Sequence, residues 1–363
     1  MTATAAVSGL LLMSAGILPE AYGVTSSPLF PSLDLIEAKR WKVGGWDLPS
    51  KSPVECARHY DWFPAHAGAV RKAWDDVVVF VGHVGPLDWA FEAQSELVVS
   101  PPPDEVVSTL ASNIESFRQT ADVDHILVAY LGSPHRTVDL GLITENPALP
   151  ASYYYGLAAV QTGCDFVDFT PSSALEFPSL IQAAEEAGQR VVGRDLSTGQ
   201  TMMKAALHEM FLQRNMILSS WYSTNLIGNN DGRALTTAGF DAAKLADKLG
   251  AFGRNEPTIA HEVRIEFMEE WGDNKESWDA GRIATWHAAP PVDIRINWRG
   301  PDSFLAAPLV LDVARLMMYE AEAKTMAGLL GHLGYFFKRP FGMETTTLSS
   351  RWENLVNRYC LAS

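Results

Sequence analysis

Between residues 76 and 193, short apolar runs alternate with stretches of helical period, and this constrains the fold more than any other feature of the chain. The runs DVVVFV at 76–81 and HILVAYL at 125–131 are rich in β-branched residues and carry no polar alternation. Runs of that kind suit strands buried on both faces. Between them DEVVSTLASNIESFR at 104–118 has helical spacing, opened by Asp104. A Tyr- and Ala-rich helix near 152–163, a strand at 165–169, a helix at 178–187 and the strand RVVG ending at Gly193 continue the alternation. Strands and helices in this order predict an α/β fold around a parallel, doubly wound sheet.

The texture changes after Gly199. A helix at 200–213 leads into a strand at 216–223, and the segments 258–268 and 292–298 alternate apolar with polar residues. That period predicts an antiparallel sheet with one covered face. A long apolar helix at roughly 305–331 closes the pattern. The 363 residues therefore divide into a doubly wound unit, a smaller sheet-bearing unit and a C-terminal return, which agrees with about two domains for this length.

The formal net charge of -15 disfavours a nucleic-acid partner, because an acidic surface repels phosphate backbones. Local lysines can still bind a small phosphorylated substrate. Cys56, Cys164 and Cys360 are far apart and form neither a disulfide framework nor a zinc spacing, as suits a reducing cytoplasm. The opening MTATAAVSGLLLMSAGIL has no basic start, since the first cation is Lys39. Its apolar run is too short and too broken by Ser and Gly to span a bilayer, and it reads as a buried helix of small residues.

The stretch SSWYSTNLIGNNDG at 219–232 runs a strand into more polar side chains than a turn requires. The chain has ten lysines and none between Lys72 and Lys204. Lys204, Lys244, Lys275 and Lys338 then stand beside loops that also carry Asp195, Asp231, Asp273 and Asp302. Each lysine alone reads as a solvated surface group. Converging on one pocket, they would bind phosphate and stabilise oxyanions, and a desolvated one could exchange a proton. In VVGRDLSTGQT at 191–201 a strand end opens a helix, where backbone N–H groups attract anions beyond the carboxyl ends of a doubly wound sheet. Ser197 or Thr198 can equally be a plain helix N-cap there. His208, His261 and His287 are isolated, no Ser/His/Asp nucleophile elbow is present, and no metal site is expected.

Together these blocks resemble the myo-inositol-1-phosphate synthases. GRDLSTGQTMMK (193–204) is similar to that family's GDD-x-K-S-G-Q-T-K-x-K, and IGNNDGRALTTAGFDAAK (227–244) to its LGNNDG block. WGDNK (271–275) resembles VGDSK, DSFLAAPL (302–309) resembles DSLLATPL, and FKRP (337–340) resembles LKAP. The order holds from about residue 76 to 345.

The resemblance implies a Rossmann-like NAD-binding domain at 1–195 and 301–363, interrupted by an α+β catalytic and tetramerisation domain at 196–300. It implies NAD as cofactor, with Asp195, Asp302, Ser303 and Ala307 as its contacts. Asn229, Asn230, Asp231 and Thr198 would hold a sugar phosphate such as glucose 6-phosphate. Lys204, Lys244 and Lys338 would be the stabilising cations, and Lys275 with Asp273 a proton shuttle. The implied reaction oxidises glucose 6-phosphate at C5, enolises it, closes the ring by aldol attack of C6 on C1 and reduces the ketone again, giving inositol monophosphate for inositol and phospholipid synthesis in the cytoplasm. The family's GDD-block lysines fall at Ser197 and near Met202, Arg194 replaces an acidic residue, and MTATAAVSGLLL resembles the helix that follows the family's first strand and glycine-rich loop. A second reading stays open, in which the chain is a non-catalytic or divergent homologue that binds a sugar phosphate or dinucleotide.

Overall fold

The computed structural model describes residues 2–20, 23–30, 33–47, 74, 77–84, 102–132, 149–172, 174–236, 259–285, 289–325, 327–343 and 347–360. Strands β3 (Leu127–Tyr130), β4 (Asp165–Asp168), β5 (Arg190–Gly193) and β10 (Gly328–Leu329) form one parallel sheet in the order β10-β5-β4-β3. Strands β1 (Gly44–Asp47) and β2 (Val78–Val81) pair in parallel beside it as a separate ladder. Gly44 and Gly45 therefore stand in a strand and not in a phosphate-binding turn.

Successive residues of β4 and β5 point to opposite faces, and each face has its own core. Phe166 and Val191 pack with helices α2 (Pro103–Ala121), α3 (Ala151–Gln161) and α4 (Pro178–Ala187). Val167 and Val192 pack with α1 (Thr2–Ser14), α7 (Asp302–Glu322) and α8 (Leu348–Cys360). Helices thus cover both faces of the parallel sheet, as the alternating pattern predicts. Local chemistry sets their ends: α2 and α4 start on Pro103 and Pro178, and left-handed Asp122 and Gly188 stop them.

Helix α5 (Gly199–Gln213) leaves the end of β5 and lies on the second sheet, whose order is β7-β6-β8-β9. These strands are β6 (Ile217–Ile227), β7 (Ala260–Phe267), β8 (Asn274–Ala284) and β9 (Val292–Pro301). Phe211 of α5 packs on Leu218, Trp221 and Ile283. The expected all-antiparallel pairing is corrected here: β6 pairs with β8, and β8 with β9, antiparallel, whereas β6 and β7 run parallel. The crossover between β6 and β7 contains α6 (Asn230–Leu235), so the chain returns to the same end before β7 begins.

The long apolar helix α7 is also shorter than the expected 305–331. It starts at Asp302 and ends at Glu322, and Lys324 with φ 50 turns the chain toward β10. Strand β6 runs four residues past the predicted 223 to reach Ile227. Among the described residues, no helix is long and apolar enough to cross a membrane.

Candidate active site

The two loops that follow β6 and precede β8 meet at their glycines. A Cβ on Gly228 would lie 2.5 Å from the backbone nitrogen of Gly272, so only glycine lets them approach this closely. Asn229 then caps α6, its Oδ1 accepting from the N–H groups of Asp231 (3.1 Å) and Gly232 (3.3 Å). The second glycine of GNNDG and its aspartate are thus a helix start and not a hairpin.

Asn229 also reaches out of its own loop. Its Nδ2 donates to Asp273 Oδ1 at 3.3 Å. Ser303 donates to the same carboxylate twice, from Oγ to Oδ1 (2.7 Å) and from its backbone N–H to Oδ2 (3.3 Å). The backbone N–H of Asp302 donates to the Asp273 carbonyl at 3.0 Å. Asp273 is therefore an anion seated at the N-terminus of α7, where the helix dipole favours it. Burial pushes its carboxyl up, against the bonds from Ser303 and Asn229 that pull it down. Lys275 turns away from Asp273 and donates to Asp302 Oδ1 at 3.0 Å. Five expected site residues (Asn229, Asp273, Lys275, Asp302 and Ser303) thus form one hydrogen-bonded cluster at the junction of β6, β8 and α7.

A second pair forms at the carboxyl edge of the parallel sheet. Asp195, with φ 56, accepts Lys338 Nζ at 2.8 Å on Oδ1 and the Lys338 backbone N–H at 2.7 Å on its carbonyl. Thr198 is the N-cap of α5 but its side chain makes no capping bond, which leaves its hydroxyl for another partner. The turn leans toward the first cluster: a Cβ on Gly199 would lie 3.3 Å from Trp298 Nε1, and Trp298 pairs with Ser277, two residues after Lys275.

Other expected residues stand apart. Lys204 is 1% exposed beneath α5, and burial lowers its amine to about 8 against the opposing pull of Asp279. Ala307 packs in the α7 core, Asn230 is exposed and Asp231 half-buried. Lys244 lies outside the described residues. Among the described residues, no group of three or more His, Cys, Asp or Glu side chains is placed to hold a metal.

Two buried acids escaped the sequence reading. Asp279 collects donors from several elements, and Asp168 at the end of β4 accepts the N–H and Oγ of Thr170 on Oδ1 (2.9 and 2.7 Å). Its Oδ2 is buried without a hydrogen-bond partner, and its carboxyl is pushed up to about 7, chiefly by burial. An unsatisfied oxygen at the carboxyl edge of a parallel sheet suits the hydroxyl and amide groups of a nicotinamide dinucleotide, so the residues present fit that cofactor. Asp279 had no signal in the sequence beyond its residue type, whereas Asp168 stood at the carboxyl end of an expected strand.

Comparison with known proteins agrees with this architecture. An NAD-binding family model described as myo-inositol-1-phosphate synthase matches residues 20–357. Inositol-3-phosphate synthase 1 of Bacteroides thetaiotaomicron is 29% identical over 260 residues, which cover 65% of this chain and 60% of that protein. Inositol-3-phosphate synthase of Trypanosoma brucei brucei is 25% identical over 342 residues, covering 84% and 62%. The chain thus spans about 60% of the length of these curated relatives. In fold it is similar to the crystal structure of inositol-3-phosphate synthase from Caenorhabditis elegans (TM-score 0.79, 19% identity, 90% of this chain and 71% of that one). It is also similar to a myo-inositol-1-phosphate synthase-related protein from Thermotoga maritima (TM-score 0.72, 22% identity, 99% and 96%). With a family model matched from residue 20 to residue 357, the chain belongs to the myo-inositol-1-phosphate synthase family.

Proposed function

We propose that this chain converts glucose 6-phosphate to an inositol monophosphate with NAD, feeding inositol and phospholipid synthesis in the cytoplasm. In this reading residues 1–195 and 301–363 hold the dinucleotide, and 196–300 carry catalysis and the contacts of a homotetramer. The observation that carries it is the cluster of Asn229, Asp273, Lys275, Asp302 and Ser303, drawn from three distant blocks of the family pattern.

NAD, when bound, supplies the reversible hydride transfer that oxidises and later reduces the sugar at C5. Asp168, Asp195, Asp302, Ser303 and the α7 surface around Ala307 are the residues that would hold it. Thr198, with its hydroxyl free of a capping bond at the start of α5, binds the substrate phosphate. Asn229, Asn230 and Asp231 meet the sugar hydroxyls. Lys275 and Lys338 are ammonium groups aimed by Asp302 and Asp195. Fixed cations of this kind stabilise the negative oxygen that develops on enolisation and aldol closure. Lys244 adds to the positive charge, Lys204 stays beneath α5 beside Asp279, and Asp273, held by Ser303 and Asn229, braces the loop that carries Lys275.

Incubation with glucose 6-phosphate and NAD, followed by phosphorus NMR, should yield inositol phosphate. Lys338→Ala should abolish turnover and keep the fold; wild-type rates in that variant would remove Lys338 from the reaction. The non-catalytic reading draws on Ser197 and Met202 standing where the family pattern has lysines. Transient formation of reduced cofactor during turnover would end it.

A further inference from the structure

Lys204 is expected as a ligand-facing cation, yet only 1% of it is exposed. It stands one helical turn after Gln200 on α5, and residues four apart share a helix face. Both side chains descend on one carboxylate of β8. Gln200 Nε2 donates to Asp279 Oδ2 at 2.8 Å, and Lys204 Nζ lies 3.6 Å from Oδ1. Two residues of β6 complete the set: Trp221 Nε1 and Ser223 Oγ each donate to Oδ1 at 2.7 Å. On β7, His261 Nε2 lies 3.5 Å from Lys204 Nζ. Asp279 is 3% exposed. A buried carboxylate is tolerated when donors and a counter-charge surround it, and here they come from α5 and β6.

Its place on β8 gives this carboxylate a reach beyond the core. Residues 275, 277 and 279 alternate onto one face of the strand, so Lys275 and Asp279 stand about 14 Å apart along it. Helix α5 is a stiff rod with Thr198 at its head. Where Gln200 and Lys204 are pinned therefore decides where Thr198 stands relative to Lys275.

We propose that Asp279 is a positioning residue: through Gln200 and Lys204 it fixes the first turn of α5 on β8, and so sets the gap between the Thr198 turn and Lys275 that receives the sugar phosphate. Asp279 touches neither substrate nor cofactor. Lys204 is the counter-ion of this anchor. The part of the inference that concerns the sugar phosphate rests on the proposed function; the anchoring of α5 does not.

The test uses the full chain, with Asp279→Asn and Gln200→Leu. The first removes the counter-charge of a buried lysine. If it fails to fold, the second still cuts one hydrogen bond of the anchor. Hydrogen–deuterium exchange should rise about tenfold in the first turns of α5 in the folded variants, with β3, β4 and β5 unchanged. Calorimetric titration should show glucose 6-phosphate bound about fivefold more weakly, with NAD affinity unaltered. Unchanged α5 exchange in Gln200→Leu, a rise spread evenly over both sheets, or equal weakening of both ligands overturns the proposal. If the wild-type chain binds no glucose 6-phosphate, the substrate reading fails, and the exchange data alone decide whether Asp279 anchors α5.

Discussion

Asn229 performs two tasks with one amide: its oxygen caps α6 and its nitrogen holds Asp273. Asn229→Ala should cost about 1 kcal/mol of stability for the cap alone. It should cost a larger factor in turnover, because Asp273 loses a donor and Lys275 stands two residues away. Chemical denaturation and steady-state rates on the same preparation separate the two effects. Single residues were the least legible level in the sequence. The lysine and aspartate types were visible, but their pairing was not: Lys275 takes Asp302 from 27 residues away and leaves its near neighbour Asp273 to Ser303. Nothing in a linear pattern encodes which of two carboxylates a folded lysine meets. Asp168 and Asp279 went unread for the same reason, since burial gives them their character and burial belongs to the fold.

The elements were easier to read where apolar period and punctuation agree. Helix α4 was expected at 178–187 and is found there, between Pro178 and Gly188. Strand β8 was missed because NKESWDAGRIA inverts the usual alternation, with Ser277 and Asp279 turned inward and Trp278 outward. Helix α7 ends earlier than its apolar run suggests, because that run continues into β10 and the turn beyond it. This helix carries two buried acids that fasten other segments, Asp312 at its middle and Glu320 in its last turn. Asp312 accepts the N–H groups of Val24 and Thr25 and the Thr25 hydroxyl. Gly23 has φ 72, and a Cβ on it would lie 2.1 Å from Asp312 Oδ2. Gly23→Ala should therefore destabilise the protein by about 2 kcal/mol, read from denaturant midpoints.

Glu320, fully buried one helical stretch later, accepts Arg358 at 2.6 and 2.9 Å, Tyr359 at 2.8 Å, and His332 at 2.9 Å. Burial opposes its ionisation, but the bonds from His332, Arg358 and Tyr359 win and hold the carboxyl well below its ordinary range. A depressed folded pKa contributes stability that is complete above the unfolded carboxylate value and is lost as pH falls below it. Glu320→Gln should cost about 3 kcal/mol at neutral pH, and this difference from the wild type should shrink steadily as melting is repeated below about pH 4.5.

At the scale of the whole molecule, the division into a parallel and a second sheet was legible because the hydrophobic period itself changes after Gly199. The parallel pairing of β6 and β7 was not, since alternation reports one covered face and not strand direction. The second sheet gives α5 its inner face and leaves Tyr222 and Trp278, each 39% exposed, on the outer one. Glu262, Arg264 and Glu266 on β7 and Arg295 and Arg299 on β9 stand on that outer face, with Arg264 paired to Glu262 and placed over the Tyr222 ring. If the proposed homotetramer forms, light scattering should give four times 39.8 kDa, and a mass of one chain would overturn it. Trp278→Asp should reduce the mass toward a single chain if this sheet carries the tetramer contact.

The enclosure of Lys204 has a further consequence. An amine lowered to about 8 is a strong nucleophile near neutral pH, yet at 1% exposure no acylating reagent can reach it. Lys39, with two thirds of its side chain open, has the opposite combination. In brief acetylation read by mass spectrometry, Lys39 should be modified at once and Lys204 should stay silent. When helix α5 lifts from its sheet, however briefly, water removes the burial that lowers the Lys204 amine and it reacts as an ordinary exposed lysine, so its acetylation rate is a clock for that opening.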